Sequence, residues 1–435
     1  MSNKKKVFIK TYGCQMNEYD SEKLVLDLEK NHYEQTGDIQ EADMVLLNTC
    51  NIREKAAEKV YSELGRIKKF KDHNTDLKIG VTGCVAQAES LEIFDRQPAV
   101  DFIVGPQSYH KFPEIISKLK DGKRNIIETS FEASDKFNSI ASLAGIPKPS
   151  SFVTIQEGCD KFCTFCVVPY TRGKEVSRSQ KDILSEIKES AKKGVKEVIL
   201  LGQNVNSYNF EGISFSSLIY SLAEIDEIKR IRFMTSHPRD MTDELINAFG
   251  VIPKLMPFLH LPVQSGSNRI LKSMNRGHVV EEYVEIINKL RFMRKDICFS
   301  SDFIVGYPGE TDKDFQETID LCKQVQFAQA YSFNYSSRPG TPASRKEELD
   351  ENLKKARLHV LQDLLNKQQT NFLNEQKNRI HKVLFEKIGR GIDEYVGRTE
   401  QFSPVTVVSK ENIVGEIRMV KINSAMSHSL KGVLK

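Results

Sequence analysis

The sequence has little that would place it in or across a membrane. No run of about 18 apolar residues occurs, which excludes a spanning helix. After Lys4-Lys5-Lys6 only Val7, Phe8 and Ile9 precede Lys10 and Thr11, too short an apolar stretch for a secretory signal. A cytosolic location is therefore expected. With 39% hydrophobic residues, 28% charge and only 14 prolines, the composition excludes a collagenous, low-complexity or disordered chain. A length of 435 residues then implies two to three globular domains.

Net charge is also scarce, at +4, but it is unevenly spread. Residues 376–435 carry 11 Lys/Arg against 6 Asp/Glu, a net +5, which leaves residues 1–375 at −1. A cationic C-terminal module suits a polyanion, with nucleic acid the leading candidate. A solvated basic face without a partner competes with that reading.

Eight cysteines are present. In a reducing compartment their placement reads as metal or catalytic chemistry rather than disulfides. Cys298 and Cys322 lie in the apolar strings "DICFSSDFIVG" and "TIDLCKQVQF" and read as small buried hydrophobes. The other six fall into two triads.

The first triad is spread over about 130 residues that alternate strand-like runs with amphipathic helices, the pattern of an open α/β sheet. "VFIKTYGC", "ADMVLLNTC" and "LKIGVTGC" end in Cys14, Cys50 and Cys84, separated by 36 and 34 residues, about one βα unit each; "VDFIVG" is a fourth run. In a parallel sheet all strand C-termini share one edge, where ligands bind, so the three cysteines should converge. The "YG", "NT" and "TG" pairs would let the backbone approach a bound group, and nearby helix N-termini favour thiolates.

Residues 131–150, rich in Ser, Ala and Pro, read as a linker after a domain over 1–130. Six further βα repeats follow, with strand candidates "FVTIQEG", "EVILLGQNV", "IRFMTS", "FLHLPVQ", "CFSSDFIVG" and "AQAYSFNYS". They predict a full or partial (β/α) barrel over 151–375, with its chemistry at the strand C-terminal mouths. A polar helix over roughly 347–378 leads to "HKVLFEKI", "EYVGRTE", "PVTVVS" and "VGEIRMVKI", a small antiparallel β-barrel over 376–435.

The second triad, Cys159, Cys163 and Cys166, sits on one loop after the first barrel strand. Three thiolates can ligate three corners of an iron–sulfur cube and leave one iron open for substrate or cofactor. A redox pair would leave Cys159 unused. Zinc would need a fourth ligand that the loop does not offer. Coincidence is the remaining alternative.

This C-x3-C-x2-C loop opening a βα barrel resembles that of the radical S-adenosylmethionine enzymes. The arrangement of all three modules is similar to their methylthiotransferase family, over essentially the whole chain. "TYGCQMNEYDSE", "NTCNIREKAAEK", "TSHP", "LHLPVQSGS" and "YSSRPGTPA" resemble the branch acting on N6-isopentenyladenosine beside the tRNA anticodon. Gln15, Met16 and Asn17 argue against the ribosomal-protein branch, and Asn51-Ile52-Arg53 against the threonylcarbamoyladenosine branch. The absence of tryptophan is compatible with the resemblance. An iron–sulfur RNA-binding sensor without turnover remains the non-enzyme alternative.

The resemblance implies two [4Fe-4S] clusters, one on Cys159, Cys163 and Cys166 that binds S-adenosyl-L-methionine, and one on Cys14, Cys50 and Cys84 that carries the sulfur. It implies cleavage of the cofactor to a 5′-deoxyadenosyl radical and a second cofactor molecule as methyl donor. It also implies a TRAM-like C-terminal barrel, the anticodon stem-loop of tRNA as substrate, a flavodoxin-like electron donor and a monomeric chain. The chemistry has an independent motive: adenine C2–H is not appreciably acidic, so proton transfer offers little purchase and hydrogen-atom abstraction avoids the limit.

Other barrel-mouth residues follow apolar strands and could hold a polar nucleoside: Gln203, Asn204, Ser236, Gln264, Ser265, Ser301, Asp302 and Arg338. Each could equally be a turn or cap residue. His237 precedes Pro238, and a fixed turn explains it as well as chemistry does. In the C-terminal module, Arg398 and Lys421 are the candidate RNA contacts.

Overall fold

The computed structural model describes residues 4–50, 54–130 and 148–435. Most of the expected linker, and the Asn51-Ile52-Arg53 string, lie outside them. The chain forms two compact units: Met1–Gly145 with Glu157–Asp160 and Val167–Val176, and Ile146–Gln156 with Lys161–Cys166 and Ser177–Lys435.

The first unit is built on a six-stranded, all-parallel sheet of β1 (Lys5–Tyr12), β2 (Tyr33–Gln35), β3 (Met44–Thr49), β4 (Lys78–Gly83), β5 (Phe102–Val104) and β6 (Ile126–Glu128). Its order is β2-β1-β3-β4-β5-β6. β3 is buried along its whole length because helices cover both faces of the sheet. Its side chains alternate between two cores. Val45 and Leu47 pack with Ile79, Val81, Leu64 and Ile67, while Met44 and Leu46 pack with Leu24, Leu28, Phe102 and Phe112. β2 and β6, three residues each, are too short to show a period in sequence.

The second unit begins with six parallel strands, β7 (Ser150–Thr154), β8 (Glu197–Leu201), β9 (Arg230–Phe233), β10 (Phe258–His260), β11 (Cys298–Val305) and β12 (Gln329–Asn334). They hydrogen-bond as two sheets, β7-β8-β9 and β10-β11-β12, and an isolated parallel bridge ties Ile231 of β9 to Leu255 in the segment leading into β10. This is the expected partial barrel. Its core holds Val153, Val198, Leu200, Ile231, Phe233, Leu259, Phe299 and Phe303. Helix Glu351–Glu375 follows, with Asp350 capping its first turn.

The chain ends in a closed five-stranded barrel: β13 (Ile380–Ile388), β14 (Glu394–Thr399), β15 (Pro404–Val408), β16 (Ile417–Ala425) and β17 (Leu430–Leu434). β17 was not expected. It pairs antiparallel with β16 but parallel with β15, and so closes the sheet and removes its free edges. Two buried arginines attach this barrel to β8 and β9. Arg232 Nε meets Glu197 at 3.0 Å, and its two Nη atoms donate to the carbonyls of Glu400 and Thr399. Arg230 donates to the carbonyls of Arg398 and Lys382.

Candidate active site

In the first unit the register brings the cysteines together. Tyr12 pairs with Thr49, and Thr49 with Gly83, so β1, β3 and β4 end flush on one edge. Cys50 and Cys84 follow immediately, and Cys14 follows after Gly13. Cys14 immediately precedes helix Gln15–Lys30, and Cys84 opens helix Cys84–Glu89. Gly13 (φ 143°) and Gly83 (φ 88°) stand where left-handed backbone favours glycine. A Cβ on Gly13 would collide with Cys50, and one on Gly83 with the Thr49 carbonyl.

Beneath this edge lies a buried amide pair. Asn17 Nδ2 donates to Asn48 Oδ1 at 3.0 Å, and Asn48 Nδ2 donates to the Asn17 carbonyl and Ser21 Oγ, each at 2.9 Å. Cys14 Sγ contacts Asn17 Oδ1 at 3.2 Å. Hydrogen bonding with Cys50, together with the Arg172 guanidinium and the N–H groups of Asn17 and Met16, outweighs burial and lowers the Cys14 thiol to about 6. A thiolate at neutral pH is the form that binds iron. By contrast, burial pushes Cys298 up to about 12 and raises Cys322 as well, which fits two inert core thiols.

The loop of Cys159, Cys163 and Cys166 is held at several points. Gly158 has φ 78°, and a Cβ there would collide with the Lys174 carbonyl. The Cys159 N–H donates to the Gly173 carbonyl at 3.3 Å. Further along, the Thr164 N–H donates to Met274, its hydroxyl meets Tyr307 Oη at 2.8 Å, and its carbonyl accepts from Ala343. Asn275 Nδ2 reaches the carbonyls of Lys161 and Phe162, the latter at φ 48°. Arg276, unremarked in the sequence, points Nη1 at Cys163 Sγ, 3.5 Å away. Among the described residues no three His, Cys, Asp or Glu side chains converge on a single-ion site. A cube, with each thiolate on a different iron, does not require that convergence.

Polar side chains at the barrel mouth divide into two groups. Asn204 is almost fully buried; its Nδ2 donates to Asp240 at 2.6 Å, and its N–H, like that of Gln203, is bound by Gln156 Oε1. Among the described residues its Oδ1 has no partner, and neither do Thr154 Oγ1, Ser236 Oγ, Arg276 Nε or the Nε2 atoms of His237 and His278. Buried polar atoms are normally satisfied, so this group suits a polar ligand such as a nucleoside cofactor. Other expected cofactor contacts have structural duties. Ser301 Oγ donates to the Leu261 carbonyl and accepts from the Val263 N–H, and Ser265 accepts from Ser267 at the start of helix Asn268–Ser273. Gln264, at φ 78°, bridges to Phe303 through its backbone. Asp302 lies 3.6 Å from His260 Nε2, and the Arg338 carbonyl anchors Thr341.

His237 does occupy the expected turn, with Nδ1 accepting from the Arg239 N–H. It also stacks edge-on against His278, their rings 5.8 Å apart. Burial, then Arg276 among its neighbours, pushes His237 far below the usual imidazole range and lowers His278 to about 4. Both are neutral at pH 7. Spacing gave no signal for Gln156, Arg276 or His278, because their roles arise from strand ends that meet only in the fold.

The C-terminal candidates differ from each other. Arg398 is paired with Glu386 at 3.2 Å and lies over the Phe402 ring at 4.3 Å, so its guanidinium is engaged within the module. Lys421 is exposed on β16, opposite Ile380 and Val433.

Among the described residues no helix is long and apolar enough to cross a membrane. Residues 6–105 match the family described as Uncharacterized protein family UPF0004, and residues 153–322 match the Radical SAM superfamily. The chain is 51% identical over 432 residues to a tRNA-2-methylthio-N(6)-dimethylallyladenosine synthase from Cereibacter sphaeroides, covering 99% of both chains. It is 52% identical to the one from Ruegeria pomeroyi, over the full length of both. A solved radical S-adenosylmethionine methyltransferase, TsrM from Kitasatospora setae, shares the fold with a TM-score of 0.60 at 12% identity, covering 78% of this chain and 75% of its own. Full-length identity of this order, on a fold with both cysteine triads in place, makes the chain a member of the tRNA-2-methylthio-N(6)-dimethylallyladenosine synthase family of radical S-adenosylmethionine enzymes.

Proposed function

We propose that the chain methylthiolates C2 of N6-isopentenyladenosine at position 37, beside the anticodon of tRNA. The observation that carries this reading is a strand-edge cysteine triad and a radical-type loop triad in one chain whose whole length aligns with synthases of that name. Cys159, Cys163 and Cys166 would hold the cluster that binds S-adenosyl-L-methionine, and Cys14, Cys50 and Cys84 a second [4Fe-4S] cluster. When bound, these groups supply a radical for the C2 hydrogen, the sulfur, and a methyl group from a second cofactor molecule.

The protein's own contribution is to bind and orient. Asn204 Oδ1, Ser236 Oγ, Thr154 Oγ1 and the two neutral histidines offer buried polar atoms to the cofactor and the base. Gln203, Gln264 and Asp302 line the same strand ends, whereas Ser301 braces them. Exposed cations of the C-terminal barrel, Lys421 among them, would contact the tRNA backbone. A flavodoxin-like protein in the cytoplasm would supply electrons to a monomeric enzyme.

Nucleoside mass spectrometry of tRNA from a strain lacking the protein tests this. The 2-methylthio nucleoside should disappear and N6-isopentenyladenosine remain in its place. Unchanged methylthiolation would overturn the proposal.

A further inference from the structure

Arg172 is a buried cation to which none of the chemistry above assigns a role. It lies six residues beyond Cys166 in sequence and belongs to the first compact unit, only 2% exposed. All three guanidinium nitrogens are engaged. Nε donates to Cys84 Sγ at 3.4 Å, Nη1 to Glu157 Oε2 at 3.1 Å and Nη2 to Asp20 Oδ2 at 2.9 Å. Both carboxylates are buried too, and Gln107 holds the Arg172 backbone carbonyl. A planar fork gripped on both Nη atoms cannot swing away, so its Nε–H stays aimed at the sulfur.

We propose that Arg172 is the positioning residue of the strand-edge cluster, fixing a permanent hydrogen bond and a positive charge on the thiolate of Cys84. The inference rests on the ligation by Cys14, Cys50 and Cys84 proposed above. Hydrogen bonds to sulfur and local charge are two of the determinants of an iron–sulfur potential. Both features stabilise the reduced, more negative cluster, so Arg172 raises its potential. Asp20 and Glu157 hold the fork and limit how far the charge acts.

The test uses the full chain with Cys159→Ala, Cys163→Ala and Cys166→Ala, so that only the strand-edge cluster is read. That parent should hold about four irons. In this background Arg172→Lys keeps the charge between the carboxylates but loses the Nε donor. The combination Arg172→Gln, Asp20→Asn removes the Nε donor together with one charge of each sign, so the net charge around the sulfur is unchanged. The midpoint potential, followed by paramagnetic resonance during a redox titration, should fall in both variants. An Arg172→Lys protein with its four irons and an unmoved midpoint would overturn the inference, whatever the combined variant does. A parent without iron would overturn the ligation itself, and the inference with it.

Discussion

Each cysteine triad has an arginine on one of its sulfurs, but the two arginines are balanced differently. At the strand edge, Arg172 stands between two buried carboxylates. On the loop, Arg276 Nη2 donates to the Pro262 carbonyl, its Nε has no partner among the described residues, and the nearby histidines are neutral. Among the described residues no carboxylate forms an ion pair with Arg276. The strand-edge cation is paired on both Nη atoms, by Glu157 and Asp20. The backbones differ as well. Three strand ends set the first site through β-sheet register, while one loop strapped by Thr164, Asn275 and Gly158 sets the second.

The sharpest way to break this comparison is to remove each triad in turn. Anaerobically reconstituted protein should bind about eight irons, and Cys→Ala at 159, 163 and 166 should leave about four and abolish turnover. Retention of eight would remove the radical assignment. Cys→Ala at 14, 50 and 84 should also stop sulfur insertion, yet reductive cleavage of S-adenosyl-L-methionine should survive. Loss of cleavage in that folded variant would end the division of roles.

A smaller effect is expected from the glycines. Gly83→Ala and Gly158→Ala each place a Cβ against a backbone carbonyl at positive φ, at a cost of order 1–3 kcal/mol. Gly83→Ala should lower iron occupancy at the strand edge only, and Gly158→Ala mainly at the loop, with a smaller effect at the strand edge because Gly158 adjoins Glu157 of the Arg172 fork. Equal losses at both sites in either variant would show that the two sites are not built independently.

The neutral histidines add a pH signature to the loop site alone. His278 titrates near 4 when folded, below its ordinary 6.5, because burial and then Arg276 disfavour its charged form. The unfolded chain binds the proton more readily between those values. Its contribution to stability is therefore complete above about pH 6.5 and is lost as pH falls towards 4. Thermal melts of His278→Gln should fall less steeply over that window than those of the parent. Parallel curves would mean that His278 is solvated.

Much of this was legible in the sequence. The flush strand ends of β1, β3 and β4, which carry Cys14, Cys50 and Cys84, and the six barrel strands follow from apolar runs. What stayed hidden depends on distant pairing. Arg172 and Arg276 look like ordinary surface cations until the fold buries them. Ser301 follows an apolar run as a ligand would, but it spends its hydroxyl on the neighbouring backbone. Arg398 carries the right charge, but Glu386 at the β13 bulge and Phe402 engage it. β17 is a five-residue strand whose parallel pairing no local pattern announces.

The smallest effect belongs to the C-terminal barrel, which contains no cysteine and serves as a control on both sites. Deleting it would remove the four carbonyl acceptors of buried Arg230 and Arg232, so a truncation would confound RNA binding with stability. Lys421→Ala avoids this, because Lys421 is exposed. Iron content and melting temperature should be unchanged. If Lys421 contacts a phosphate, the slope of log affinity against log salt should flatten by roughly 0.7 to 0.9. The loss should be similar across tRNAs, since backbone contacts position the substrate and carry no base identity. Arg398→Ala should instead lower the melting temperature, because it removes the ion pair with Glu386 and one of the two guanidinium groups over Phe402. Titrating tRNA into the parent and both variants at several salt concentrations separates these outcomes. A slope unmoved by Lys421→Ala would remove this residue from the RNA contact and leave the barrel's basic excess to its other exposed lysines and arginines.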